Sequence, residues 1–345
     1  MPTASGRESA VQGWVRGWAV KRGLEVTDDR AGNLLVRPPT RNRRRPIVAV
    51  AHMDHPALVV RRTGRRTEVE LRGGVLPDYL TGARLHLETS GGPQPVALQE
   101  FDPDTSRGWL TGEDLDAAAG DIVRWAFPAG SLGIHGTRLQ ARACDDLAGA
   151  AAALATLDRL EMAGVANFWV LLTRAEEVGF IGAIASCELG TLPGTARILS
   201  IECSRQSADA PLGDGPILRV GDASSVFSSE LTNRVAEIVR AADVPHQRKL
   251  MVGGSCEATA FVALGYEATG LCLALDNYHN MVDIDGVRAG KRRARLGTEA
   301  IALPDFHGLV DVLEVVGQQI DSGKSNLPTR LRKMYRAERS VLGVV

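Results

Sequence analysis

Several function classes are excluded by what this chain lacks. Its 345 residues include only five cysteines (Cys144, Cys187, Cys203, Cys256 and Cys272), and no two of them form a CxxC pair. An odd, scattered set in apolar surroundings argues against a disulfide scaffold and fits a reducing cytoplasm. Aromatic residues are 5% of the chain and the net charge is −1, so there is no basic field and no stacking platform for nucleic acid. The basic run RAGKRRAR (288–295) therefore reads as a solvated loop. No stretch approaches the roughly 18 uninterrupted apolar residues of a membrane span. The nearest, AGAAAALATL, reads as a buried helix, and the start MPTASGRESAVQGW lacks the charged-then-apolar pattern of a secretory leader. GxSxG elbows, Walker loops and GxGxxG fingerprints are also missing.

What is present is an ordinary globular balance, 44% hydrophobic and 23% charged, long enough for more than one domain. Residues 7–22 place Ala10, Trp14, Val15 and Trp18 at helical spacing. NLLVR (33–37) and PIVAVAH (46–52) read as strands, the second apolar enough to be buried on both faces. From Leu58 to His135 the pattern changes to short alternating runs (TEVELR, ARLHLE, PVALQEF, DIVRWAF) broken by Gly, Pro and Asp, the mark of a small β-rich module. Helices and strands then alternate: a helix at 146–164, the strand NFWVLLT, a helix starting in GFIGAIASCEL, the strand ARILSIECS, a Ser-capped helix at 228–242, the strand TGLCLAL and a closing helix at 303–320. The expectation is an α/β fold with a mainly parallel central sheet flanked by helices. Residues 1–57 and 136–345 form one discontinuous domain in this reading, and 58–135 an inserted β-rich domain.

Acids and histidines recur at the carboxyl ends of the predicted strands, where open α/β sheets gather their active sites. AHMDH offers His52, Asp54 and His55; TRAEE offers Glu176 and Glu177; ILSIE ends in Glu202; LALDNYH offers Asp276 and His279. CDD adds Asp145 and Asp146 just before the Ala-rich helix. Taken singly, such residues are caps or loop residues. Together they need counter-charge, and Arg174 and Arg205 are the cations at the same strand ends. A pair of divalent cations would neutralise them, bridged by one carboxylate at about 3.5–4 Å separation with a water or hydroxide between. Imidazole and carboxylate without thiolate suit catalytic zinc, or cobalt or manganese. In the Glu176–Glu177 pair one carboxylate can bind metal while its neighbour stays free to take a proton. Cys144 beside Asp145 reads as a core residue, and His86, His135, His246 and His307 as surface or loop residues.

The motifs AHMDHP, CDDLAGA, LLTRAEEVGFIGA, LGDGPIL, GGSCEATAF and YHNM follow one another as in metallopeptidase family 42, the co-catalytic aminopeptidases of TET, deblocking and glutamyl type, which the chain resembles over nearly its whole length. The resemblance implies that His52, Asp145, Glu177, Glu202 and His279 bind two metal ions, with Asp145 bridging. It implies Glu176 as general base and Asp54 as the residue that orients His52. The implied activity is removal of N-terminal residues from short peptides or aminoacyl amides, with the bridging hydroxide as nucleophile. It also implies the phosphorylase/hydrolase-like, zinc-peptidase type of that fold and a homo-oligomer; composition, for its part, leaves neither nucleic acid nor membrane as an expected partner. The alternatives are an N-acyl-amino-acid deacylase or other amidohydrolase on the same metal core and a non-catalytic assembly protein that keeps the scaffold. His55 and Ala57, Leu147 and Glu202 depart from the family pattern, as do the extra residue in GGSCEA and the added residues near 286–302.

Overall fold

The computed structural model describes residues 1–40, 43–323 and 326–343. Helix α1 (Ser9–Val20) buries Val11, Val15 and Ala19. Its apolar face is therefore turned from the expected one, with Trp14 51% exposed. Strand β1 (Glu25–Asp28) folds back antiparallel on β2 (Leu34–Arg37), and β3 (Ile47–His52) is buried at every position, as its unbroken apolar run requires.

Six strands then close a barrel: β4 (Ala57–Arg62), β5 (Thr67–Arg72), β6 (Leu85–Thr89), β7 (Gly92–Asp102), β8 (Arg107–Thr111) and β9 (Ile122–Trp125). Alternation drives the closure. Leu58, Val60, Val69, Leu85, Leu87, Val123 and Trp125 fill the interior, while intervening residues face outward. β10 (Gly133–His135) and β11 (Arg138–Ala141) lie outside the barrel, in a small antiparallel sheet completed by β17 (Glu299–Ala302).

The α/β part resumes with α2 (Leu147–Met162) and β12 (Phe168–Thr173), followed by α3 (Ile181–Glu188), β13 (Arg197–Arg205), β14 (Ile217–Gly221) and α4 (Ser229–Ala241). Ser228 caps α4 by accepting the Leu231 amide. β15 (Gln247–Leu250), α5 (Glu257–Ala263), β16 (Glu267–Leu275), α6 (Ile284–Arg288) and α7 (Leu303–Gln319) complete the order. The eight-stranded sheet runs β1-β2-β12-β3-β13-β16-β14-β15, and its central neighbours β12, β3, β13 and β16 are parallel. One face packs against α1, α2, α4 and α7 through residues such as Ala49, Leu157, Val235 and Leu313. The other packs against α3 and α5 through Val48, Ile198 and Phe261.

Helix α7 does not close the chain. It is followed by α8 (Leu327–Glu338), which buries no residue and leaves Leu331, Met334 and Tyr335 exposed. Its apolar positions are few and interspersed with arginine, so the periodic signal in the sequence is weak.

Candidate metal centre

Parallel strands of matched register bring their carboxyl ends to one edge. Thr173 at the end of β12 stands beside His52 at the end of β3, and β13 carries Glu202 alongside. The turn after β12 is sharp. Ala175 takes a left-handed conformation (φ 53°) and is followed by a single turn, Glu176–Val178. The turn is braced by Asn33, whose side chain accepts the Arg174 amide at 3.0 Å and donates to the Gly182 carbonyl at 2.9 Å. Gly182 must lack a side chain, since a Cβ there would lie 2.3 Å from the Arg174 carbonyl oxygen. His279 stands in a second strained turn, with Asn277 (φ 54°), His279 (φ 53°) and Asn280 (φ 64°) all left-handed. Such clustered backbone strain persists where neighbouring contacts enforce it.

Seven predicted side chains converge here. His52 Nε2 lies 3.2 Å from Asp145 Oδ1, 3.9 Å from Glu202 Oε2 and 4.0 Å from Glu176 Oε2. His279 Nε2 lies 3.2 Å from Glu177 Oε2 and 3.7 Å from Asp145 Oδ2. Four overlapping ligand groups of three result among the described residues; two of them, His52–Asp145–Glu202 and Asp145–Glu177–His279, share Asp145, and the others are His52–Glu176–Glu177 and Asp145–Asp146–Cys203. The far nitrogens are tied back: His279 Nδ1 to the Gly74 carbonyl at 2.8 Å, and His52 Nδ1 to the Asp54 carbonyl oxygen at 3.1 Å. Donation through Nδ1 leaves both Nε2 lone pairs facing the cavity. Asp54 also accepts the amides of Glu176 and Glu177 and the Ser5 hydroxyl.

The cluster leaves buried carboxylate oxygens unpaired. Glu177 Oε1 and Glu202 Oε1 are buried and have no hydrogen-bond partner among the described residues. Burial raises the Glu202 carboxyl well above its ordinary range, and Glu176 adds to the rise while His52 opposes it. Burial likewise raises Glu176; His52 opposes this and Glu177 reinforces it. Burial by itself lowers both histidines, but the carboxylates outweigh it. His52 stands well above its ordinary value through Glu176, Asp145 and Asp54, and His279 at about 10 through Glu177 and Asp145. Bound divalent cations would take the place of those protons. The donor set, two imidazoles and hard carboxylate oxygens, suits zinc, cobalt or manganese.

Other candidates have partners of their own. Asp276 pairs with Arg138, Arg174 with Glu8 and Arg205 with Asp285. His55 spans the Asp145 carbonyl (2.8 Å) and Asn280 Oδ1 (2.9 Å) with its two nitrogens, so it braces the two loops. Asp146 accepts from the buried Cys203 thiol at 3.5 Å, and burial pushes that thiol well above its ordinary range, which keeps it a poor ligand. Cys144 is buried at 1% exposure, a core residue.

Several contributors had no signal in sequence. Glu299 accepts the amides of Cys144 (2.7 Å) and Asp145 (3.1 Å). Ser5 and Gly74 reach the site from distant segments. Asn280 was visible beside His279 in YHNM, but nothing local assigned it a partner. A cleft of about 970 Å³ opens over the cluster, bounded by 73–77 on the barrel side and 249–255 opposite, and its floor includes Asp145, Glu176, Glu202 and His279.

Comparison with known structures finds the same fold in archaeal enzymes. A TET aminopeptidase from the marine sediment archaeon Thaumarchaeota archaeon SCGC AB-539-E09 superposes with a TM-score of 0.77 at 19% identity, covering 93% of this chain and 94% of that one. An aminopeptidase from Desulfurococcus kamchatkensis gives 0.73 at 19% identity, covering 94% and 93%. The TET1 peptidase of Pyrococcus horikoshii gives 0.73 at 20%, covering 92% and 96%. The family model described as M42 glutamyl aminopeptidase matches residues 112–292, just over half of the sequence and most of the cluster, and the chain belongs to that family of peptide-bond hydrolases.

Proposed function

We propose that this chain is a di-metal aminopeptidase acting on short peptides or aminoacyl amides, with zinc as the first candidate metal and cobalt or manganese next. His52 and Glu202 would hold one ion, Glu177 and His279 the other, and Asp145 would serve both. The observation that carries this reading is Asp145 itself, whose Oδ1 faces His52 and Oδ2 faces His279. The unpartnered oxygens of Glu177 and Glu202 support it further. When bound, the two ions supply Lewis-acid polarisation of the scissile carbonyl and acidify water.

The chain's own residues do the rest. Glu176 lines the cleft and takes the proton from the attacking water, then delivers it to the leaving amine. Asp54 transfers no proton; it holds His52 through Nδ1 and ties down the loop carrying both glutamates.

We also read 58–135 as an inserted access and assembly domain within a catalytic unit of 1–57 and 136–345, supported by the closed barrel of β4–β9. A homo-oligomer is supported by relatives: the P. horikoshii TET1 peptidase is described as forming a tetrahedron or a large octahedral shell. No helix of the described residues is long and apolar enough to cross a membrane. The five free cysteines support a cytoplasmic setting.

Metal analysis of the purified protein, with rates on a panel of aminoacyl amides and N-acyl amino acids, tests the proposal. Two equivalents of divalent metal per chain and cleavage of the free-amine substrates are expected. Full activity in metal-free protein, or cleavage of N-acyl substrates alone, would overturn it.

A further inference from the structure

Among the tyrosines that lie wholly or partly buried, two have their hydroxyls engaged. Tyr79 donates to the Val282 carbonyl at 2.8 Å and Tyr266 to the Leu192 carbonyl at 3.0 Å. Tyr278 differs. Its hydroxyl has no hydrogen-bond partner among the described residues, and it is not sealed from solvent either. A half-buried phenol ordinarily finds a partner within the protein, so a free one facing a cleft is available to a ligand.

The surroundings fix where that hydroxyl stands. The Tyr278 ring stacks on the ring of His279, with centroids 3.7 Å apart and planes at 23°. Its oxygen therefore lies within a ring's length or so of the imidazole whose Nε2 faces Glu177 and Asp145. The ring packs against both large hydrophobic cores and lines the cleft together with Asp145, Glu176 and Glu202. Burial, and then the charges of Asp145, Glu177, Glu202 and Glu176, hold its pKa above the ordinary value. The turn that carries it is pinned. Asn277 on one side donates to the Thr298 carbonyl at 2.8 Å, and Asn280 on the other donates to the Arg142 and Gly297 carbonyls at 3.0 Å each.

When water adds to a peptide carbonyl carbon, the C=O electron pair moves onto the oxygen. The carboxylates at this cleft floor repel that new charge, whereas a fixed neutral O–H donor attracts it. We propose that Tyr278 is a catalytic residue whose hydroxyl donates a hydrogen bond to the scissile carbonyl oxygen as it becomes an oxyanion. The phenol keeps its proton throughout. When the electron pair returns and the C–N bond breaks, the amine leaves with the proton that Glu176 carries. This role rests on the aminopeptidase reading and adds a donor that neither the sequence motifs nor the ligand set contains.

The test is Tyr278→Phe, which keeps the ring on His279 and removes only the hydroxyl. Metal content, melting temperature and KM for an aminoacyl amide should stay at wild-type values. Turnover should fall at least about tenfold, and as much as ~10³-fold, the span for losing one oxyanion donor. A 1-aminoalkylphosphonate, whose tetrahedral P–O group mimics the oxyanion, should bind the metal-loaded variant more weakly by a similar factor. A merely structural role would instead move metal content, melting temperature and KM together, and that result would overturn the assignment. A smaller fall in kcat, or a fall with phosphonate binding unchanged, would also overturn it while the aminopeptidase reading stood. Metal-loaded wild type that cleaves no aminoacyl amide would overturn both.

Discussion

The backbone amide of Glu176 donates to Asp54 Oδ1 at 3.0 Å, so the anion behind His52 also anchors the residue proposed as the base. The other oxygen, Oδ2, accepts the Glu177 amide at 3.2 Å and the Ser5 hydroxyl at 2.6 Å. Burial by itself raises the Asp54 carboxyl, but His52, Ser5 and the Glu176 amide outweigh it and keep it below its ordinary value. Asp54→Asn would turn an amide NH2 toward backbone donors. The expected loss is about 2–3 kcal/mol of stability, together with weaker metal binding. Denaturant midpoints and metal content check this, and a variant as stable and as fully loaded as the wild type would contradict it.

Glu176→Gln and Glu177→Gln should separate cleanly. Gln at 176 keeps the shape but accepts no proton, so kcat should fall about 10²–10⁴-fold with both metals retained. Gln at 177 removes the charge facing His279 Nε2 at 3.2 Å, so one metal should be weakly held and activity should return in part with added metal. Rescue of both variants by metal would mean the two roles are misassigned.

Chelation should abolish hydrolysis and lower the melting temperature. Without cations, Asp145, Glu176 and Glu202 stand together in a buried site, and ions that bind only the folded state stabilise it by mass action. Calorimetric scans before and after chelation, then with zinc, cobalt or manganese restored, provide the measurement. An unchanged melting temperature with all metal removed would rule out this account.

Glu257 makes stability depend on pH. It is fully buried at the start of α5, and neither carboxylate oxygen meets the geometric criteria for a hydrogen bond among the described residues. Burial raises its pKa to about 7, with His52 opposing. A folded-state pKa above the unfolded one means that the stabilising contribution is complete below about pH 4.5 and is lost as pH rises through about 7. The total is on the order of 3 kcal/mol. Glu257→Gln should match the wild type near pH 5 and exceed it at pH 8. Urea denaturation at both pH values decides the matter, and parallel pH profiles would exclude Glu257 as the source.

Much of the architecture was legible because it rests on local pattern. Unbroken apolar runs marked β3, β12, β13 and β16, and Ser228 marked the start of α4. β1 and β15 were missed: they are short edge strands with polar residues, formed because a neighbouring strand offers a ladder and not because of their own composition. Trp14 misled the reading of α1, since its helical spacing does not say which side of the helix the core lies on.

The sequence by itself determined the donor inventory, the strand ends on which the donors stand, and family membership, since these depend on residue type and order along the chain. Only the tertiary structure decided which donors meet. Parallel register set His52 beside Thr173, and the turn at Ala175 sent Glu177 toward His279. Closure of the barrel brought the Gly74 carbonyl to the His279 ring. The same closure set His86 of β6 opposite Arg124 of β9, so this histidine is a half-buried strand residue and not the surface or loop residue expected. Gly74 and His279 are 205 positions apart, and no short-range pattern can specify a contact over that separation. Such a contact exists only once the two cores have packed.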